Sequence, residues 1–528
     1  MVAAPFSLRE DYWESFEVEP TDLEFLYNHL LELETPLTSK ELIKTLVTER
    51  IKKEKVILQT QQESGGIVYR PKDHYQTGQN LLFPQLDWQK GLVKAVRPGN
   101  NSQLPAFGVI EVVMENGSPH QFATDLADHS LNQPLKVDLS DPRLDPQFVL
   151  KEYVEDLISC LESSLLADSD LVRIADRWFP SALLVDVSVG HLNLAEAILD
   201  MGGGGPLKTK MLLEQIDLPT DVNSKLVEFS LNYRMQEDNR FDEVGPAGEV
   251  LWFLHRLEPE AVQRTPNYLQ YTPINDDRVG LNPTMVALER QIDDELSDLQ
   301  ESYPKTNDLS IILSYPHWRA GTLPLTCRTQ GLFPTAIESP RIQFTLVDAD
   351  SKDKMSAWVV RHERYIYGLR DWYVSQGLIP GSIVHIRPAK TPDEVLIQVE
   401  KRRSNREWIR TVLVGADGGV VFAMLKQVVN AAFDERLAIA IPNVNAIDAI
   451  WEQNTKQRTS LDTIVFNMMR ELSKLNTQGH VHAQELYASV NVLKRCPPGP
   501  IFNILATQPK YNHVGDSHYR LEEKQGEG

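Results

Sequence analysis

Cysteine is scarce: Cys160, Cys327 and Cys496 are the only three in 528 residues. An odd number at wide spacing builds neither a disulfide framework nor a cysteine-based zinc site, and a reducing, cytoplasmic setting is expected. No apolar run approaches the ~18 residues that span a bilayer, so no membrane partner is expected. The opening "MVAAPFSLREDYWESFEVEP" lacks the basic-then-apolar order of a secretory signal. Basic residues are in deficit as well: 53 Lys and Arg stand against 74 Asp and Glu, a formal charge of −21. That balance excludes a wholesale nucleic-acid coat and leaves room only for a binder whose cations are clustered.

Catalytic signatures are missing too. "DMGGGGPLKTK" places Gly202–Gly205 and Lys208 at the wrong spacing for a phosphate loop and after a helix, so it reads as a helix-ending loop. There is no GxSxG elbow and no HExxH zinc helix. Asp393 precedes a strand ending in Glu400-Lys401, but the one-residue gap of a restriction-type nuclease is absent. A chain without catalysis, metal or cofactor is expected.

The apolar fraction of 42% is ordinary for globular protein, and the length suggests several domains. Leu23, Leu26, Leu30 and Leu33 recur at helical spacing; Pro36 ends that helix, and Thr38 with Glu41 forms a capping box for the next. Residues 21–72 read as a helical unit whose hairpin lies near "SGGIVYRP". Residues 76–130 hold short β-rich runs punctuated by "RPGNN" and "ENGS", the pattern of a small antiparallel barrel. Residues 149–258 return to helices and end in a hairpin that turns at "GPAG". The stripe Met285, Leu288, Ile292, Leu296, Leu299 predicts an amphipathic helix over 284–301, either core-packed or a partner seam. Residues 308–402 read as an antiparallel β domain carrying one helix. Residues 407–521 form a last helical unit, with a helix expected at 420–432, three more from Leu461 onward, and a hairpin turning at Gly515-Asp516. Three helices followed by a hairpin is the winged-helix order. The fold class expected is therefore an α+β multidomain chain in which winged-helix units join small antiparallel β-barrel domains.

Two clusters of cations stand out. "KRRSNREWIR" sets Lys401, Arg402, Arg403, Arg406 and Arg410 against one Glu. "KRCPPGPIFNILATQPKYNHVGDSHYRL" carries Lys494, Arg495, Lys510 and Arg520, with Tyr511, His513 and His518 beside them. Cations of this kind neutralise backbone phosphates and release counterions. Tyr and His add hydrogen bonds to phosphate or sugar, or stack on unpaired bases. The third helix and wing of the last unit and the run after the β domain are the expected contacts. Cys496, His480 and His482 offer no metal-ligand spacing.

"TSKELI" and "VHAQELY" resemble the second helix of HARE-type winged helices, the family of the N-terminal domain of the RNA polymerase delta subunit. "GLRDWYVSQGLIPGSIVHIR" is similar to the helix-and-strand element of plant-type DNA-binding pseudobarrels, with Gly381-Ser382 in place of Gly-Asp. Both resemblances imply a non-catalytic nucleic-acid-binding protein associated with transcription or chromosomes. DNA is the expected partner, with RNA, RNA polymerase or another protein as further partners. A protein–protein scaffold and a motif-less enzyme of a DNA-defence system are the alternatives.

Overall fold

The computed structural model describes residues 8, 11–63, 67–83, 86, 89–101, 106–115, 117–132, 141–219, 221–274, 278–297, 306–391, 394–415 and 418–522. The chain divides into two compact units, Met1–Leu184 and Val185–Gly528.

In the first unit, Pro20–Leu33 is a helix that buries Leu26 and Leu30. The strand Leu37–Thr38 leads into the helix Ser39–Glu63 through the expected capping box: Glu41 N–H donates to Thr38 Oγ1, and Thr38 N–H to Glu41 Oε2. The hairpin that completes this arrangement is not near "SGGIVYRP". Residues 64–66 lie outside the described residues, and Ile67–Val68 pairs in parallel with Leu81-Leu82 as the edge of a five-stranded sheet. The completing elements are the helices Pro146–Glu152 and Val154–Ala167 and the hairpin Leu171–Ile174/Arg177–Pro180, whose second strand pairs with Leu37–Thr38. The residues between are an insertion. The sheet runs Ile67–Val68, Asn80–Phe83, Gln89–Pro98, Gly108–Met114, Pro119–Thr124 over a core of Tyr69, Tyr75, Leu81, Phe83, Val93, Ile110, Val112 and Met114. It is antiparallel except at its first pair.

The second unit repeats the helix–strand–helix–helix–hairpin order twice. The middle module comprises Val189–Met201, Leu207–Lys208, Thr209–Leu213, Ser224–Gln236 and the hairpin Phe241–Glu243/Leu251–Leu254. The last comprises Leu461–Ser473, Val481–His482, Ala483–Val490, Pro498–Thr507 and Tyr511–Gly515/His518–Leu521. In all three modules the two-residue strand pairs with the second hairpin strand, and its first residue faces an aromatic: Leu37 opposite Trp178, Leu207 opposite Trp252, Val481 opposite Tyr519. The following helix buries a leucine at the same offset, Leu42, Leu212 and Leu486. Two modules share a further bond. Trp178 Nε1–H donates to Ser39 Oγ at 3.0 Å and Trp252 Nε1–H to Thr209 Oγ1 at 3.2 Å, because a buried indole N–H needs an acceptor. The glycine run ends the helix Val189–Met201 as expected. A Cβ on Gly205 (φ +120°) would lie 2.4 Å from Trp252 O, so the loop can pass the hairpin only as glycine.

Residues 309–399 form one seven-stranded sheet in the order Leu309–Ile312, Ile383–Pro388, Glu394–Val399, Arg341–Asp348, Lys354–Val360, Tyr365–Tyr367, Thr322–Pro324. It is not wholly antiparallel, since Arg341–Asp348 and Glu394–Val399 run in parallel. It carries two helices rather than one: Arg370–Gln376, and Tyr315–Ala320, whose Pro316 fits the first turn. The amphipathic helix after Asn282 is shorter than its stripe suggests. Asp293 adopts φ 53° and closes Pro283–Ile292, while Met285 and Leu288 enter the core of the last module.

The helix expected at 420–432 is a strand. Val420–Ala431 pairs along its length with Lys401–Val414 in a two-stranded antiparallel ribbon. Val420 and Phe422 turn inward while Val421 faces out, an alternation of period two that β-branched and aromatic residues favour.

Candidate nucleic-acid interface

The ribbon orders its side chains by cross-strand pairing. Arg406 faces Val428, Trp408 faces Lys426, Arg410 faces Met424 and Val412 faces Phe422, and these four pairs share one surface because side chains alternate along a strand. That surface grades from core to solvent. Val412 and Phe422 are buried against the last module, and Arg410 is buried beside them. Beyond Arg410, Trp408 is 61% exposed and Val428 58% exposed. Lys426 Nζ lies 5.3 Å from the centre of the Trp408 ring, a cation–π contact. On the opposite surface, Ile409 and Val429 are buried with Ala438 and Ala440.

Of the first cluster, Arg402, Arg403 and Arg406 are exposed, and neither they nor Lys426 has a carboxylate partner among the described residues. Arg402 lies over the Phe433 ring at 5.7 Å. Lys401 pairs with Asp350 at 3.1 Å across exposed surface. Arg410 is a correction. Its guanidinium pairs with Glu485 at 2.6 Å and donates to the Arg436 carbonyl, so it joins the ribbon to the last module and offers nothing to a phosphate. Burial lowers its pKa, against the pull of Glu485.

The second cluster is largely structural. Arg495 is buried and bonded to Asp294 at 2.6 Å and to Glu295 at 2.7 Å. Tyr487 Oη–H donates to the same Asp294, and His317 Nε2 lies 3.1 Å from Glu295 Oε1. Burial opposes these charges, but Asp294 and Glu295 outweigh it and hold Arg495 protonated; Arg495 and His317 likewise hold Glu295 ionised. Lys494 Nζ–H donates to the Thr459 carbonyl, and Lys510 pairs with Asp462 at 2.9 Å. Tyr511 is buried in the core. Of the hairpin, His513 and Arg520 are exposed and His518 is half-buried, its ring 4.9 Å from His482. His482 caps its helix by accepting from Gln484 N–H, and burial, then Arg436 and His518, push it down to about 4.

The third helix of the last module is also a correction. Pro498–Thr507 has no ionisable residue, and it is covered by the 278–292 segment. A Cβ on Gly280 would lie 2.7 Å from Asn503 Oδ1, and one on Gly499 would lie 3.0 Å from Arg278 Nη1. The corresponding helix of the first module, Val154–Ala167, carries Glu155, Asp156 and Glu162 and no cation. Neither helix offers a cation to a phosphate backbone. Trp408 and Lys426 were not legible as a pair until the strand assignment of 420–431 brought them face to face.

Asp242, His255 and Glu258 converge closely enough for a metal ion. A guanidinium already faces them: Arg341 Nη1 lies 2.6 Å from Asp242, 3.2 Å from Glu258 and 3.4 Å from His255 Nδ1. The cluster joins the middle hairpin to the seven-stranded sheet. Burial, then the hydrogen bond shared with Asp242, pushes the Glu258 carboxyl up to about 8. Burial alone is the largest cause of the same displacement at Glu243, to about 8. Asp393, of the nuclease-like pattern, lies outside the described residues.

Among the described residues no helix is long and apolar enough to cross a membrane. Compared with models of protein families, with curated proteins and with solved structures, the chain matches none.

Proposed function

We propose that this is a nucleic-acid-binding protein without catalysis, and that the ribbon Lys401–Ala431 makes the contact. The observation that carries the reading is the set Arg402, Arg403, Arg406 and Lys426: four exposed cations without carboxylate partners, on one element of a chain with net charge −21. Phosphates reward such a set because each neutralised charge releases a counterion. The shared strand order of the three modules supports reading them as winged helices. The seven-stranded sheet, with helices after its first and fifth strands in chain order, supports the pseudobarrel reading of 308–402. In this account the winged helices are framework, since their third helices are covered, acidic or mostly buried.

The test is an affinity measurement on the full chain. R402A/R403A/R406A/K426A weakens oligonucleotide binding on the order of tenfold or more at about 50 mM salt. K510A, whose Lys is held by Asp462, leaves it within about twofold, as a paired surface cation should. Equal affinities for the quadruple variant and the parent would remove the ribbon from the contact.

A protein–protein scaffold is the second reading, and one observation favours it. Leu194, Ala197, Ile198 and Met201 fall on one stripe of the helix Val189–Met201, with Leu194 47% and Met201 86% exposed. Apolar side chains at that spacing form a docking face when no core covers them.

A further inference from the structure

We propose that the open surface of the ribbon is a platform for a single strand, on which an unpaired base stacks against Trp408 while Arg406 and Lys426 take the flanking phosphates. This rests on the nucleic-acid reading above and narrows it to single-stranded polynucleotide.

Three observations favour a single strand over a duplex. First, the ribbon is held on both surfaces: Val412 and Phe422 are buried on one, Ile409 and Val429 on the other. A two-stranded ribbon reads duplex DNA by entering the major groove, about 12 Å wide, and one anchored on both sides cannot enter as a free finger. Second, the end that would lead into a groove carries no cation; residues 411–423, "TVLVGADGGVVFA", contain neither Lys nor Arg. Third, the only exposed indole of the ribbon lies among the free cations and not apart from them. Trp408 directly faces Lys426, and Arg406 follows two residues before it on the same surface. Val428 and Met424, diagonal to Trp408, are 58% and 41% exposed and give an apolar floor on either side of the ring. Lys426 lies over the Trp408 ring, and an exposed aromatic with cations beside it is what binds an unstacked base and its sugar-phosphate, whatever the base.

A protein partner would use the same apolar side chains, so the test separates the two. Fluorescence anisotropy is read for the full chain with oligo(dT), oligo(U) and a duplex of equal length. Both single strands are expected to bind tighter than the duplex, and their order tells DNA from RNA. W408A is expected to weaken single-strand binding about tenfold, the effect of losing roughly one stacked base, while W408F restores most of it. Duplex affinity should stay within about twofold, and the thermal midpoint should not move, because exposed side chains contribute little to stability. The single-strand proposal is overturned if W408A leaves oligo(dT) and oligo(U) binding unchanged, which is also the outcome for a protein-docking surface, or if the duplex binds tighter. If W408A is silent but the four-cation variant still loses affinity, stacking fails and the nucleic-acid reading stands. If the parent binds none of the three probes, both fail.

Discussion

Arg495 and Arg403 look alike in the sequence, each a cation in a basic run, and the fold gives them opposite surroundings, one buried and one exposed. Arg495 is fully surrounded and holds two carboxylates from a segment 200 residues away in the chain, Asp294 and Glu295. Removing one member of such a buried cluster leaves uncompensated charge, which costs about 3–5 kcal/mol. R495A should therefore lower the urea midpoint of unfolding sharply, while R403A should leave it in place. A midpoint for R495A equal to that of the parent would contradict the ion-pair account. This is also where sequence reading fails for a physical reason: the type and local spacing of a charge are visible, but its partner across the fold is not. Arg410 with Glu485 and Lys510 with Asp462 were lost in the same way. That Arg402, Arg403 and Arg406 are exposed without carboxylate partners was legible, because a run of cations outnumbering its local acids cannot all be paired nearby.

Elements were read best where periodicity was strong. The helix Leu461–Ser473, the capping box at Thr38, the glycine loop and the hairpin of the last module all follow from local pattern. The first module was misjudged because a five-stranded insertion separates its second helix from its third, and no local signal reports that Arg177–Pro180 returns to Leu37–Thr38. The threefold repetition was available in "LTSKELI", "LKTKMLL" and "VHAQELY", aligned at Leu37, Leu207 and Val481, but it is carried by burial and register more than by identity. At the joint of the middle hairpin with the seven-stranded sheet, pH provides a test. Glu258 titrates at about 8 in the fold, well above an ordinary carboxyl. A raised carboxyl contributes stability that is present below its unfolded pKa and lost as pH rises through the folded one. The thermal midpoint should thus fall between about pH 5 and about pH 8, and E258Q should flatten that fall, leaving the share that belongs to Glu243. Identical slopes for E258Q and the parent would show that the Glu258 proton does not stabilise the joint.

At the scale of the whole molecule, the proposed nucleic-acid contact is compatible with a net charge of −21 through the distribution of charge. Acidic residues outnumber basic ones across the chain, and many cations in the fold are held in ion pairs, as at Arg240, Arg319 and Arg341. Under the proposed function the acidic balance would repel nonspecific duplex, and the ribbon is the one place among the described residues where exposed cations without carboxylate partners flank an exposed indole. The most direct measurement is the salt dependence of single-strand affinity, taken from about 50 mM to about 200 mM for the parent and for R402A/R403A/R406A/K426A. Each lost phosphate contact removes about 0.7 from the slope of log K against log salt for a single strand, so the four-cation variant should have a slope shallower by about 3. Parallel slopes for the two proteins would contradict the assignment of the ribbon as the phosphate-binding element.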